Sequence, residues 1–152
     1  MASFLNNYLF MILAILTGVA MSTQAAVNSK LAGNVQSPVL AAFISFAVGT
    51  VALFIWAFIT GAPLGNLAAA KDAPPVAWIG GVLGAFFVLI MTMIVPRIGV
   101  ALAFSLAITG QMLGALVVDH FGLLGIPEHK ISWQRIVGVL FVMAGVIIIR
   151  RF

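Results

Sequence analysis

The sequence predicts an all-α membrane protein with five transmembrane helices. Three observations carry this: apolar residues make up 64% of the chain against 7% charged, the mean hydropathy is +1.27, and the apolar residues fall into five long runs. A soluble domain carries roughly 25% charged residues. A bilayer core about 30 Å thick needs about 20 helical residues to cross. The runs supply such lengths near residues 8–28, 38–60, 76–95, 99–118 and 134–149. They lack the alternation of barrel strands and are about twice as long as a barrel strand needs. The chain, residues 1–152, is therefore expected to form a single five-helix transmembrane domain.

The first run opens after a segment without Lys or Arg, and Thr23-Gln24-Ala25 resembles the small residues before a signal-peptide cleavage site. Four further runs follow, so a retained first span is the better account. Gln36-Ser37-Pro38 opens the second span. Ser37 can accept a bond from an orphan amide of the first turn, and Pro38 loses nothing there by lacking an N–H. Gly61-Ala62-Pro63-Leu64-Gly65-Asn66 closes that span, and Pro74-Pro75 restarts a helix after a connection holding Lys71 and Asp72. Between the third and fourth spans stands only Val95-Pro96-Arg97-Ile98-Gly99, which predicts a tight hairpin with Arg97 reaching the headgroups. The connection from His120 to Ser132 is the most polar part of the chain. Trp78 and Trp133 stand near the starts of their spans, where amphipathic rings favour the membrane interface.

Seven Lys and Arg residues give an excess of positive charge over three acidic ones. They are too scattered for a nucleic-acid surface and are ordinary anchors at span ends. With five crossings, Lys71, Lys130 and Arg135 fall on one side and Lys30, Arg97, Arg150 and Arg151 on the other. Orientation follows the excess of Lys and Arg in cytoplasmic loops. The split is too even to impose one direction, so insertion both ways is expected.

Inside the spans, polar residues are few. Thr17, Met21, Gln24 and Asn28 follow helical spacing along one stripe, and Gln111 lies mid-span with Ser105 and Thr109 one or two turns away. Gln24, Asn28, Gln111, Ser105 and Thr109 are the candidate lining of a shared polar cavity. The amides offer donors and acceptors and no charge, which suits a small neutral or zwitterionic solute. They would otherwise bond across helices, and Asn28, near the expected span end, would act as a cap. Phe43, Phe46, Phe54, Trp56, Phe86, Phe87 and Phe104 are candidate aromatic walls, although most such rings face lipid or core. Small residues four apart, Gly80 and Gly84, Gly110 and Gly114, and Ser45 and Gly49, make notches for helix packing.

No Asp, Glu, Lys or Arg lies in the middle third of a span, which disfavours a proton antiporter with a carboxylate in its first helix. Asp119, His120, Glu128 and His129 supply metal-ligand chemistry, but adjacent residues of a loop rarely converge on one centre, and no metal or other cofactor is expected. Asp119 should instead pair with Arg135, a possible gate pair. No nucleophile is accompanied by a base, so no catalytic residue is assigned and an enzyme is not expected.

Gly18, Gln24, Asn28 and Leu31, then Ser45-Phe46 and Gly49, Trp78-Ile79-Gly80-Gly81 and Gly84-Ala85, Pro96 and Gly99, Gly110-Gln111, Asp119-His120-Phe121-Gly122, and Arg135, Gly138 and Gly145 resemble the YdcZ-type family, also called DUF606, of the drug/metabolite transporter superfamily. Its members occur as single small proteins, as adjacent paired genes and as fused two-half proteins. The resemblance implies a working unit of two five-helix halves in opposite orientations, the arrangement the charge split suggests on its own. Secondary transporters commonly place the substrate site between inverted repeats. Five spans cannot hold two such repeats, but two oppositely inserted copies can. The expected protein is thus a multi-pass component of a bacterial inner membrane, half of an antiparallel homodimer that moves a small solute by alternating access. The alternatives are one half of a heterodimeric transporter with an oppositely oriented paralogue, or a non-transporting accessory or structural subunit.

Overall fold

The structure is a computed structural model and describes residues 2–151. Among these residues there are five α-helices and no strand: α1 (Ala2–Val35), α2 (Pro38–Ile59), α3 (Pro75–Ile98), α4 (Val100–Phe121) and α5 (Trp133–Arg151). All five are long and apolar enough to cross a membrane. The chain separates into two compact units, Met1–Arg97 and Ile98–Phe152.

In the first unit, α1 runs past the expected end of the first span to Val35. Nothing before Gln36-Ser37-Pro38 breaks it, because a residue preceding proline is pushed out of the helical region. At 34 residues, α1 is about 51 Å long, well beyond the hydrocarbon thickness. Gln36 turns the chain with a left-handed φ of 53°. The Ser37 side chain then accepts from Leu40 N at 3.3 Å, with Pro38 as the first helical residue, so α2 begins as its sequence predicts. The connection after α2 is not wholly irregular: Leu64–Asp72 forms a 3₁₀ segment.

The third helix also outlasts its expected end. It passes through Pro96 to Ile98, and the only break before α4 is Gly99 at φ 83°, a conformation costly for any residue with a Cβ. A proline this close to a helix end removes one N–H and leaves the Thr92 carbonyl without its helical donor. The Ser29 hydroxyl of α1 lies 3.2 Å from that oxygen and also 2.8 Å from the carbonyl of Ala25. Arg97 occupies the last turn of α3 and Arg150 and Arg151 that of α5, where positive charge suits the helix dipole.

Burial in the first unit is concentrated at one end. Ala25 and Asn28 of α1, Ala41 and Ala42 of α2, and Met91, Thr92 and Val95 of α3 are its buried residues. The alanines let the α1 and α2 backbones approach, as packing in lipid requires. Gly84 serves α2 and α3 in the same way, since a Cβ there would stand 3.7 Å from the Phe46 ring. Toward the other end, side chains such as Leu13, Phe54, Trp56, Val82 and Phe86 are exposed.

The second unit is a helix pair. Ala103 of α4 and Val139 and Val146 of α5 are buried, the two valines falling on one helical face. α4 ends at Gly122, which adopts left-handed φ 56° and sits within 3.4 Å of Ile126 O once a Cβ is built. Ser132 opens α5, its hydroxyl accepting from Arg135 N at 3.4 Å.

Candidate functional site

Two constellations gather some of the polar residues singled out by the sequence, one in each unit. In the first, Met21, Gln24, Ala25 and Asn28 of α1 face Phe87, Val88 and Met91 of α3 across a pocket of ≈ 10 Å³. The spacing of three and four residues along α1 puts Met21, Gln24 and Asn28 on one face. Asn28 is only 4% exposed. Its Nδ2 is buried and makes no hydrogen bond. Since α1 continues for two more turns, Asn28 is not the cap expected from the sequence but an interior residue. Gln24 is exposed overall, and its Nε2 lies 3.5 Å from Ser45 Oγ of α2, the outer limit of a hydrogen bond.

The pocket is thus a small, mostly apolar recess in which, among the described residues, the Asn28 amide donor is unspent. An amide without a partner in a low-dielectric surrounding is costly, so this donor is chemically the most conspicuous group of the unit. Thr17, on the same stripe, is not part of the lining and donates instead to Leu13 O at 2.9 Å. Of the candidate aromatic walls, Phe87 lines the pocket, whereas Phe43, Phe54, Trp56 and Phe86 are exposed and Phe46 packs over Gly84. Val88 and Met91 had no signal in one sequence, because hydropathy does not say which helix lies against α1.

The remaining candidates for the cavity lie in the second unit. Ser105 donates to Ala101 O at 2.8 Å and Thr109 to Ser105 O at 2.9 Å, bonds to the preceding turn that hydroxyls in membrane helices commonly make. Gln111 is at the middle of α4 and exposed, and its side chain makes no hydrogen bond among the described residues. At Gly49, Gly80, Gly110 and Gly114 no atom lies within 4 Å of a built Cβ, so these notches face open space.

The second constellation closes the end of α4 on the start of α5. Arg135 Nη1 donates to Asp119 Oδ2 at 3.0 Å and to His129 O at 3.3 Å. His129 N donates to Asp119 O at 2.7 Å, and Ile131 N donates to His120 Nδ1 at 3.2 Å. The loop from Gly122 to Ser132 is thereby fastened to the end of α4, with Asp119 as the common anchor. Glu128 and Lys130 form only an exposed 3.9 Å contact. Asp119 and Arg135 sit at one end of an open cleft of ≈ 270 Å³ whose other walls are Met112, Ala115, Leu116, Gly138 and Val139.

Comparison with known proteins gives one family. The family described as "Putative inner membrane exporter, YdcZ" matches residues 9–148. No curated protein and no solved structure matches the chain significantly.

Proposed function

Because the chain belongs to the YdcZ family, whose description reads "Putative inner membrane exporter", we propose that it is one half of an antiparallel homodimer that exports a small uncharged or zwitterionic solute by alternating access. Gln24, Asn28 and Gln111 supply the polar lining, with Ser105 and Thr109 beside Gln111. The pair of Asp119 and Arg135 holds the loop between α4 and α5 as a gate.

The observation that carries the proposal is Gln111. Its side-chain amide stands at mid-span, exposed and without a partner among the described residues. Lipid can solvate exposed Leu or Phe, but it offers an amide nothing. A second copy, or the water and solute of a shared cavity, satisfies it. The even split of Lys and Arg supports opposite insertion of the two copies, and an axis in the membrane plane brings the same α4 face from each.

The absence of cysteine makes the test direct. Single cysteines at Asn66 and at Asn34 are labelled with an impermeant reagent, in intact cells for the outer side and in inverted membrane vesicles for the inner side. Labelling of both sites from both sides is the expected result, followed by crosslinking between copies of Gln111→Cys. Labelling of each site from one side alone refutes the antiparallel homodimer and points to an oppositely oriented paralogue. Export is read from the solutes that accumulate in the medium of expressing cells, and Gln111→Leu is expected to abolish that accumulation while leaving the amount of membrane-inserted protein unchanged. An unchanged medium for the native chain favours the accessory-subunit reading.

A further inference from the structure

We infer that the pocket between α1 and α3 is a subsite for one uncharged hydrogen-bond-accepting oxygen, a carbonyl, hydroxyl or ether, carried by a solute with an apolar body. This deepens the proposed transport reading and rests on it for its physiological role, although the binding itself does not. The warrant is the combination of a donor, a shape and a wall. The donor is Asn28 Nδ2, on a residue only 4% exposed, and without a partner among the described residues. Only an acceptor can satisfy an N–H, so the group that belongs in front of it is an oxygen or unprotonated nitrogen.

The volume of ≈ 10 Å³ is about that of a single water-sized atom. Only the tip of a ligand enters, and its body stays against the flanking apolar side chains. Those walls include Met21, Phe87 and Met91. Methionine side chains adapt readily to a neighbouring shape and make favourable contacts with aromatic rings, which fits an apolar or aromatic body next to the accepting atom. None of the lining residues is charged. A carboxylate would enter without a counter-charge and an ammonium would face a donor, so both are excluded by desolvation. A bound water has the same accepting oxygen, and a solute must displace it to occupy the subsite.

The subsite is tested on the purified full chain in lipid nanodiscs, with asparagine labelled by ¹⁵N and the Asn28 side-chain amide assigned by its disappearance in Asn28→Leu. The probes are acetophenone, ethylbenzene and benzoate, alike in size and differing in the group at the tip. Acetophenone is expected to shift the Asn28 amide resonance saturably, and ethylbenzene and benzoate to leave it in place. In Asn28→Leu, acetophenone binding followed by tryptophan fluorescence should weaken roughly five- to tenfold, the worth of one neutral hydrogen bond. An equal response to ethylbenzene would show partitioning of any small aromatic, and an unresponsive amide with all three probes would show that water alone occupies the site. Either result overturns the inference. Should the leucine variant fail to fold, Asn28→Ala supplies the same assignment, and the signal itself is read from the native chain. Export that persists while acetophenone leaves the amide unmoved separates failure of this inference from failure of the transport reading.

Discussion

Pro96 and Ser29 belong to different helices and should be energetically coupled through one carbonyl. Pro96 has no N–H for the oxygen of Thr92, and Thr92 is 1% exposed, so water does not replace the missing donor. Ser29 Oγ stands 3.2 Å from that oxygen while also lying 2.8 Å from Ala25 O. One hydroxyl proton is divided between two acceptors. Stranding a buried carbonyl costs about 1–3 kcal/mol in water-soluble proteins. Interhelical hydrogen bonds measured in a membrane average about 0.6 kcal/mol with a maximum near 1.7. A shared, longer bond belongs near the lower range, and Ser29→Ala should destabilise the first unit by about 1 kcal/mol. Pro96→Ala restores the N–H of residue 96 to Thr92 O and makes the serine proton redundant there. In that background Ser29→Ala should cost no more than about 0.3 kcal/mol, leaving a coupling near 0.7 kcal/mol between positions 67 residues apart in sequence. The assay is a double-mutant cycle by reversible unfolding in bicelles. A Ser29→Ala cost equal in both backgrounds, within about 0.3 kcal/mol, would refute the reasoning and assign the proton wholly to Ala25 O.

Three further outcomes follow from the same structure. Arg135→Gln should loosen the loop between α4 and α5, measured as faster proteolysis after Glu128, with a stability loss held to about 1 kcal/mol because the paired side chains are 37% and 29% exposed; an unchanged cleavage rate would show that the ion pair fastens nothing. Gly99→Ala should lower thermal stability by about 1–2 kcal/mol, since φ 83° has to be held by an L-residue, and a neutral result would mean that the turn between α3 and α4 relaxes freely. Gly110→Ile should leave the isolated chain folded, no atom lying within 4 Å of a Cβ at that position, yet reduce the dimer fraction on dilution in detergent; an undiminished dimer would show that the α4 notch is not at the interface.

How much of this was legible beforehand depends on whether the information is local. Five spans, the all-helical class, the Ser37 cap and the pairing of Asp119 with Arg135 are dictated by runs, breakers and neighbours in sequence, and the structure contains them. Helices α1 and α3 run past the ends that the polarity of Asn28 and the proline at Pro96 predict. A helix tolerates both when a neighbouring helix encloses the amide or supplies a hydroxyl, and that is tertiary information. The grouping of Gln24 and Asn28 was visible as a stripe, whereas Phe87, Val88 and Met91 became a wall only once α3 was placed against α1. The 3₁₀ segment Leu64–Asp72 had no clear sequence signal, since its glycine, asparagine and alanines suit an irregular loop equally well.

The large apolar surface of the chain is weak evidence for any partner, and the polar groups are strong evidence. Exposed Leu53, Phe58 or Phe141 costs nothing in lipid, because hydrocarbon chains are as apolar as the side chains they solvate. An argument for assembly from exposed hydrophobics, sound for a soluble protein, therefore fails here. Hydrogen bonds reverse the weighting, because lipid provides no donors or acceptors. Ser105 and Thr109 satisfy themselves on the preceding turn. Ser29 satisfies a carbonyl that Pro96 stranded. Of the candidate lining residues, Gln111 and Asn28 are left, one amide exposed at mid-span and the other enclosed with an unspent donor. The first calls for something outside the chain, and the second for something small enough to enter it. A structural subunit explains the first through packing and the second through one enclosed water, whereas the proposed transporter half puts both amides to use on a solute.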